Sequence, residues 1–209
     1  MFLTLLDQLA IDSYVSFNGS YVVFEGDVIS KKPLSTEKLK ELEELALEKG
    51  HPMVFLDHLT GRSNKENHPH IQDSIGTLKL PYPPKDPTFY HERDIYQALL
   101  FCQQHEESHY ELHQEHFDFV RWHDVSTDVL PLGGSKARGI EELLKLVQIP
   151  KENSFAFGDG LNDVEMLQYV GTGIAMGNAV NEAKEAADIV TADVDNDGIL
   201  LGLKKVGLL

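Results

Sequence analysis

Two aspartates and an asparagine crowd the end of a short apolar run in Phe155-Ala-Phe-Gly-Asp-Gly-Leu-Asn-Asp-Val-Glu-Met-Leu167. Phe155, Ala156 and Phe157 have strand character, Gly158 stops them, and Val164 and Leu167 then repeat at helical spacing. The order strand, tight turn, helix puts Asp159, Asn162 and Asp163 at the carboxyl end of a strand. Open α/β sheets bind their ligands at that edge. Oxygen-bearing side chains there suit a hard cation such as Mg2+, with a phosphate as the group it would meet. Either aspartate alone is also what a helix N-cap uses. The glycines flanking Asp159 and the apolar strand before it favour Asp159 and Asp163 as a metal site.

Lys136 is the second candidate. It follows Gly133-Gly134-Ser135 and opens a helical pattern carried by Ile140, Leu143, Leu144 and Val147. A lysine beside the unpaired N–H groups of a helix start makes an anion site, although most single lysines are only solvated surface. In a βαβ arrangement Lys136 and Asp159 would reach the same edge of the sheet, so an anion-binding cation and a cation-binding acid would converge.

The elements needed to position these residues can be read from periodicity. Asn18-Gly19 between Tyr14–Phe17 and Ser20–Phe24 predicts a hairpin, and Glu25-Gly26-Asp27 a second turn. Ser35 or Thr36 caps a helix striped by Leu39, Leu42, Leu45 and Ala46 and closed by Gly50. Met53–Leu56 reads as a strand, 61–74 as a polar loop with room for a short helix, and the proline-rich Pro81–Pro87 as an extended linker or loop. Ile95, Leu99 and Leu100 predict a helix over 92–104, and 117–125 a strand. From 130 onward helix and strand alternate, the signature of a parallel sheet with helices on its faces.

Composition narrows the function. The 209 residues are 42% hydrophobic and 25% charged, enough for a core and ordinary for a globular protein. A net charge of −16 repels polyanions, so nucleic acid and anionic membrane are not expected partners. The single cysteine, Cys102, fits a reducing, cytoplasmic setting, and no run is long and apolar enough to span a bilayer. Phe2, Leu5, Leu6 and Leu9 share one helical face, so the chain is expected to open inside an amphipathic helix rather than a signal peptide.

Taken in order, Gly-Gly-Ser-Lys136, Phe-Gly-Asp-Gly-Leu-Asn-Asp-Val-Glu-Met-Leu167, Ala-Met-Gly-Asn-Ala-Val180, Ala187-Asp-Ile-Val-Thr191 and Asp197-Gly198 resemble the haloacid dehalogenase superfamily. The closest resemblance is to its Cof-type sugar-phosphate phosphatases. That resemblance implies a parallel Rossmann-like core sheet built from 1–30 and 129–209, with an α+β cap at 31–128. It implies Mg2+-dependent hydrolysis of a small phosphorylated metabolite. Asp159 would bind the metal and Asp163 support it, Lys136 would offset phosphoryl charge, and Asn162 would contact the phosphate. The cap would set leaving-group specificity.

The family's attacking carboxylate comes from Asp-x-Asp-Gly-Thr, which occurs nowhere in these 209 residues. In the family it precedes the Asn-Gly hairpin, so the expectation is an N-terminally incomplete core, inactive alone and prone to self-association through its unfinished sheet. Phe55-Leu56-Asp57-His58-Leu59-Thr60-Gly61-Arg62 echoes the motif, but Leu59 stands where the general acid should be and the segment falls in the cap. Two other functions compete: a non-catalytic phosphate- and cation-binding or regulatory protein, and a transition-metal site from His68 and His70 or from His109, His113 and His116.

Overall fold

A computed structural model describes residue 6 and residues 8–209. The expected helix at the start of the chain falls largely outside the described residues. In chain order the elements are β1 (Tyr14–Ser16), β2 (Tyr21–Phe24), β3 (Asp27–Lys31), α1 (Thr36–Lys49), β4 (Met53–Leu56), β5 (Gly61–Ser63) and α2 (Pro69–Thr77). Next come β6 (Gln97–Leu100), β7 (Phe117–His123), β8 (Ser126–Pro131), α3 (Lys136–Val147), β9 (Phe155–Gly158) and α4 (Val164–Tyr169). β10 (Thr172–Ala175), α5 (Asn181–Ala186), β11 (Ile189–Val190) and α6 (Gly198–Lys205) complete the chain. Single-turn 3-10 segments and a longer one at Gln104–Glu115 join them.

The chain forms two compact units, one from Ser13–Ser30 with Ser135–Leu209, the other from Lys31–Gly134 together with the described residues up to Asp12. The expected junction at 129 falls inside β8, whose pairing with β6 and β7 carries the inserted unit on to Gly134.

In the unit that holds Lys136 and Asp159, β11-β10-β9 form a parallel sheet. β10 is central, and its Gly173, Ile174 and Ala175 are buried. Leu167 of α4 and Ala183 of α5 pack with Ala175 and Met176, as residues on the helical faces of a parallel sheet should. The second sheet here, β1-β2-β3, begins with the Asn18-Gly19 hairpin, in which Ser16 pairs with Tyr21. Phe17 and Asn18 at φ 50° and Gly19 at φ 89° turn the chain through left-handed backbone.

The inserted unit is a five-stranded sheet of order β5-β4-β6-β8-β7, antiparallel at each of its pairings. On one face Leu39, Leu42 and Ala46 of α1 pack against Met53 and Phe55. The helix is bounded as its sequence requires: Ser35 accepts from the Lys38 N–H, and Gly50 closes it at φ 79°. On the other face Ile71 and Ile75 of α2 cover Val54, Leu99 and Phe101.

The helix expected over 92–104 is not formed; its centre is β6, between β4 and β8. A central strand buries both faces, and Ala98, Leu99 and Leu100 are all 6% exposed or less. A continuous apolar run of that kind carries no period, so strand and helix look alike in it. In the polar stretch 61–74 the short helix allowed there is the start of α2, and β5 forms where loop was expected.

Candidate active site

Lys136 is the first residue of α3, with Ser135 as its N-cap accepting from the Arg138 N–H. The helix start is seated on the Asn18-Gly19 turn through two glycines. A Cβ on Gly139 would lie 2.5 Å from Gly19 Cα, and one on Gly19 2.2 Å from the Ser135 carbonyl oxygen. Close backbone approach thus sets where Lys136 starts.

The Lys136 ammonium donates to Asp163 Oδ1. The other Asp163 oxygen accepts from the backbone N–H groups of Asp159 (2.9 Å) and Gly160 (3.0 Å). Asp163 is only 4% exposed. Burial alone would raise its pKa, but the Lys136 ammonium and the two amides hold the carboxyl below its ordinary range. Gly158 is required here, since a Cβ would meet Asp163 Cβ at 2.6 Å. Asp163 therefore clamps the loop after β9 and tethers the lysine to it.

Asp159 is placed differently. It follows the last residue of β9, its side chain is exposed, and it makes no hydrogen bond or ion pair with the described residues. Its backbone is held at both ends, the N–H by Asp163 and the carbonyl by the Val180 N–H at 2.9 Å. Asn162 is exposed one residue before Asp163. The four predicted residues, Lys136, Asp159, Asn162 and Asp163, thus gather on one loop and one helix start. Both Asp163 oxygens accept from protein donors, which leaves Asp159 as the carboxylate open to a cation.

One open carboxylate fits Mg2+ better than a metal that needs a full protein cage. Mg2+ takes one or two carboxylates and keeps water and phosphate oxygens for the rest. Among the described residues no group of three or more His, Cys, Asp and Glu side chains is arranged to hold a metal ion. Among the described residues His109, His113 and His116 do not form such a group. His51 lies between Tyr110 (2.6 Å) and Glu106 (3.2 Å), His68 stacks edge-on with His70, and His116 meets Glu115.

Asp57, in the segment that echoes the missing motif, is a loop residue. One oxygen accepts from the Leu59 and Thr60 N–H groups, the other from Arg93 at 2.8 Å. Arg93 in turn lies over the Phe89 ring. Nothing in the spacing of Asp57 and Arg93 foretold that pair. The role of Gly139 was also missed, although a glycine in the first turn of a helix is a usable signal.

Residues 1–203 match the haloacid dehalogenase-like hydrolases. The chain belongs to that family. It is 50% identical over 205 residues to the putative phosphatase YkrA of Bacillus subtilis, which covers 98% of this chain and 79% of YkrA. A crystal structure of a hypothetical protein from Geobacillus kaustophilus superposes on all of it with a TM-score of 0.93 at 55% identity, covering 82% of that protein. The subclass IIB sugar phosphatase BT4131 superposes on 99% of the chain and 80% of itself, with a TM-score of 0.84 at 29% identity. The expected fold class, a Rossmann-like parallel core with an inserted α+β cap, is the one observed. Among the described residues no helix is long and apolar enough to cross a membrane.

Proposed function

We propose that this chain serves Mg2+-dependent hydrolysis of a small phosphomonoester of the sugar-phosphate type in a reducing cytoplasm. The observation that carries the reading is the Asp159 carboxylate, left open beside the Lys136–Asp163 pair, whose carboxylate already accepts from the ammonium and two backbone amides. Asp159 would hold the cation, which when bound supplies charge neutralisation at the phosphoryl oxygens. Lys136 keeps two ammonium hydrogens for a phosphate after bonding Asp163. Asn162 offers an amide donor on the same loop. Asp163 acts by positioning, since displacement at phosphorus needs mainly alignment and preorganised charge. The likeness to a sugar phosphatase supports the substrate class.

The attacking carboxylate is not among these residues, since they contain no Asp-x-Asp-Gly-Thr. We therefore expect negligible release of phosphate from p-nitrophenyl phosphate by the 209 residues with Mg2+, and activity when a segment carrying that motif is supplied. Strong turnover by the 209 residues, abolished by Asp57→Asn, would refute this assignment and make Asp57 the nucleophile.

The same absence favours a second reading, a non-catalytic binder of phosphate and cation. Under it, calorimetry would show Mg2+-dependent phosphate binding, lost in Asp159→Ala, and no hydrolysis even with the segment supplied. Either way the partner is a small phosphorylated metabolite. Among the described residues β9 stands at the end of its sheet. An open edge of that kind recruits another strand, so we propose self-association there, to be read by sedimentation.

A further inference from the structure

The inserted unit encloses a cavity of about 160 Å³ between its sheet and the longer 3-10 segment at Gln104–Glu115. Glu107, Tyr110 and Gln114 line it from the segment, and Leu100, Phe119 and Thr127 from β6, β7 and β8. Strand register brings the sheet residues together. Leu100 lies opposite Thr127, and Thr127 opposite Arg121, so all three share a face. Phe119 joins them by alternation along β7. This is the face that α1 covers; Leu99 and Asp128, which pair with each other, belong to the opposite face with α2. Leu100, Tyr110 and Thr127 are buried, Glu107 and Phe119 half-buried and Gln114 exposed, so the cavity opens past Gln114.

One polar group in it is unsatisfied. Thr127 is 0% exposed, and its Oγ1 has no hydrogen-bond partner. A buried hydroxyl in that condition costs stability and asks for a reason. Arg121, which also lines the cavity, has nothing left to give it. Its Nε and Nη2 bond Glu107, Nη2 also reaches the Cys102 carbonyl, and Nη1 donates to the carbonyls of His123 and Asp124. That uses every N–H of a guanidinium. The Tyr110 hydroxyl is held by His51 Nδ1 at 2.6 Å.

These facts select an occupant. An anion would find no free guanidinium donor and would meet the Glu107 carboxylate, and an ammonium would meet Arg121. A neutral molecule avoids both costs. Ordered water needs about two to four polar partners, whereas a dry space of about 150 Å³ takes one benzene-sized ring. The walls suit a flat ring: Leu100 is apolar, and the Tyr110 and Phe119 rings are inclined by only 25° with centroids 6.4 Å apart. Thr127 adds the demand for one hydroxyl.

We propose that this cavity binds a small neutral aromatic alcohol, its ring against Tyr110 and Phe119 and its O–H donating to Thr127 Oγ1. The site involves no phosphate and stands apart from the hydrolase reading.

The 209-residue protein is titrated with phenol and, separately, with benzene, benzoate and benzylamine, followed by calorimetry and by amide NMR. Phenol should saturate a single site and shift the amide signals of Leu100, Tyr110, Phe119 and Thr127 most. Benzene should bind about tenfold more weakly, for want of one hydrogen bond, and the two charged ligands weaker still. Thr127→Val, checked for fold by circular dichroism, should lower phenol affinity to that of benzene, and Thr127→Ser should keep it. Failure of phenol to saturate would leave the cavity to water and overturn the proposal. Shifts centred away from these residues, or benzene or either charged ligand binding as tightly as phenol, would overturn it too. The NMR map and the ligand series use the unaltered protein, so they decide the matter even where Thr127→Val does not fold.

Discussion

Replacing Asp128 by asparagine should stabilise the protein near neutral pH, and the gain should vanish in acid. In the folded chain burial holds the Asp128 carboxyl at about 6, against an ordinary value of 3.8. Between those values the folded state keeps a proton that the unfolded state has released, so this group's contribution to stability falls as pH rises through the window. Below it the carboxyl is neutral in both states and costs nothing. Above it, the gap between 3.8 and about 6 corresponds to about 3 kcal/mol, at about 1.4 kcal/mol per pH unit.

Asparagine has the same shape and no charge to bury. Urea unfolding of both proteins, followed by Trp122 emission, should show the variant more stable by up to about 3 kcal/mol at pH near 8. The difference should close as pH approaches about 4. Other carboxylates titrate in both proteins and cancel in the comparison. A difference that stays constant with pH, or has the opposite sign, would refute the reasoning. It would mean that donors beyond Gln97 and Trp122 offset the burial of Asp128.

Gly139→Ala would gain about 1 kcal/mol in an exposed helix, but here its methyl would meet Gly19, so we expect a net loss of about 1–3 kcal/mol in thermal unfolding. Asp163→Asn removes the charge that Lys136 and two amides share, and should cost about 3 kcal/mol or more near neutrality. Because the Asp163 pKa is lowered, its contribution is present above the ordinary carboxylate range and lost as pH falls through the folded value. The penalty of Asp163→Asn should therefore shrink in acid unfolding curves. Asp57→Asn should loosen the β4–β5 loop and lower stability without changing phosphate release by a chain supplied with the missing motif; a loss of turnover there would contradict the loop role.

Much of the site was legible because it is local. Gly158, Asp159, Gly160, Asn162 and Asp163 fall within 158–163, and a strand-turn-helix pattern needs no distant partner to be recognised. Lys136 was found through its place at a helix start. The helix misread over 92–104 failed for a physical reason: burial of β6 on both faces erased the alternation that marks a strand. The face shared by Trp122, Ser126 and Asp128 is a product of register and of one bulge, which no local pattern encodes.

The order and chemistry of the phosphate-site residues were determined by the sequence itself: acids and glycines at a strand end, a lysine at a helix start, and no attacking Asp-x-Asp-Gly-Thr. Only the tertiary structure showed which donors each acid meets. Asp163 and Asp159 are the same side chain four residues apart. Folding aims two backbone amides and the Lys136 ammonium at Asp163 and none at Asp159. A buried carboxylate must be satisfied by donors to stay charged, whereas an exposed one keeps its oxygens for a ligand.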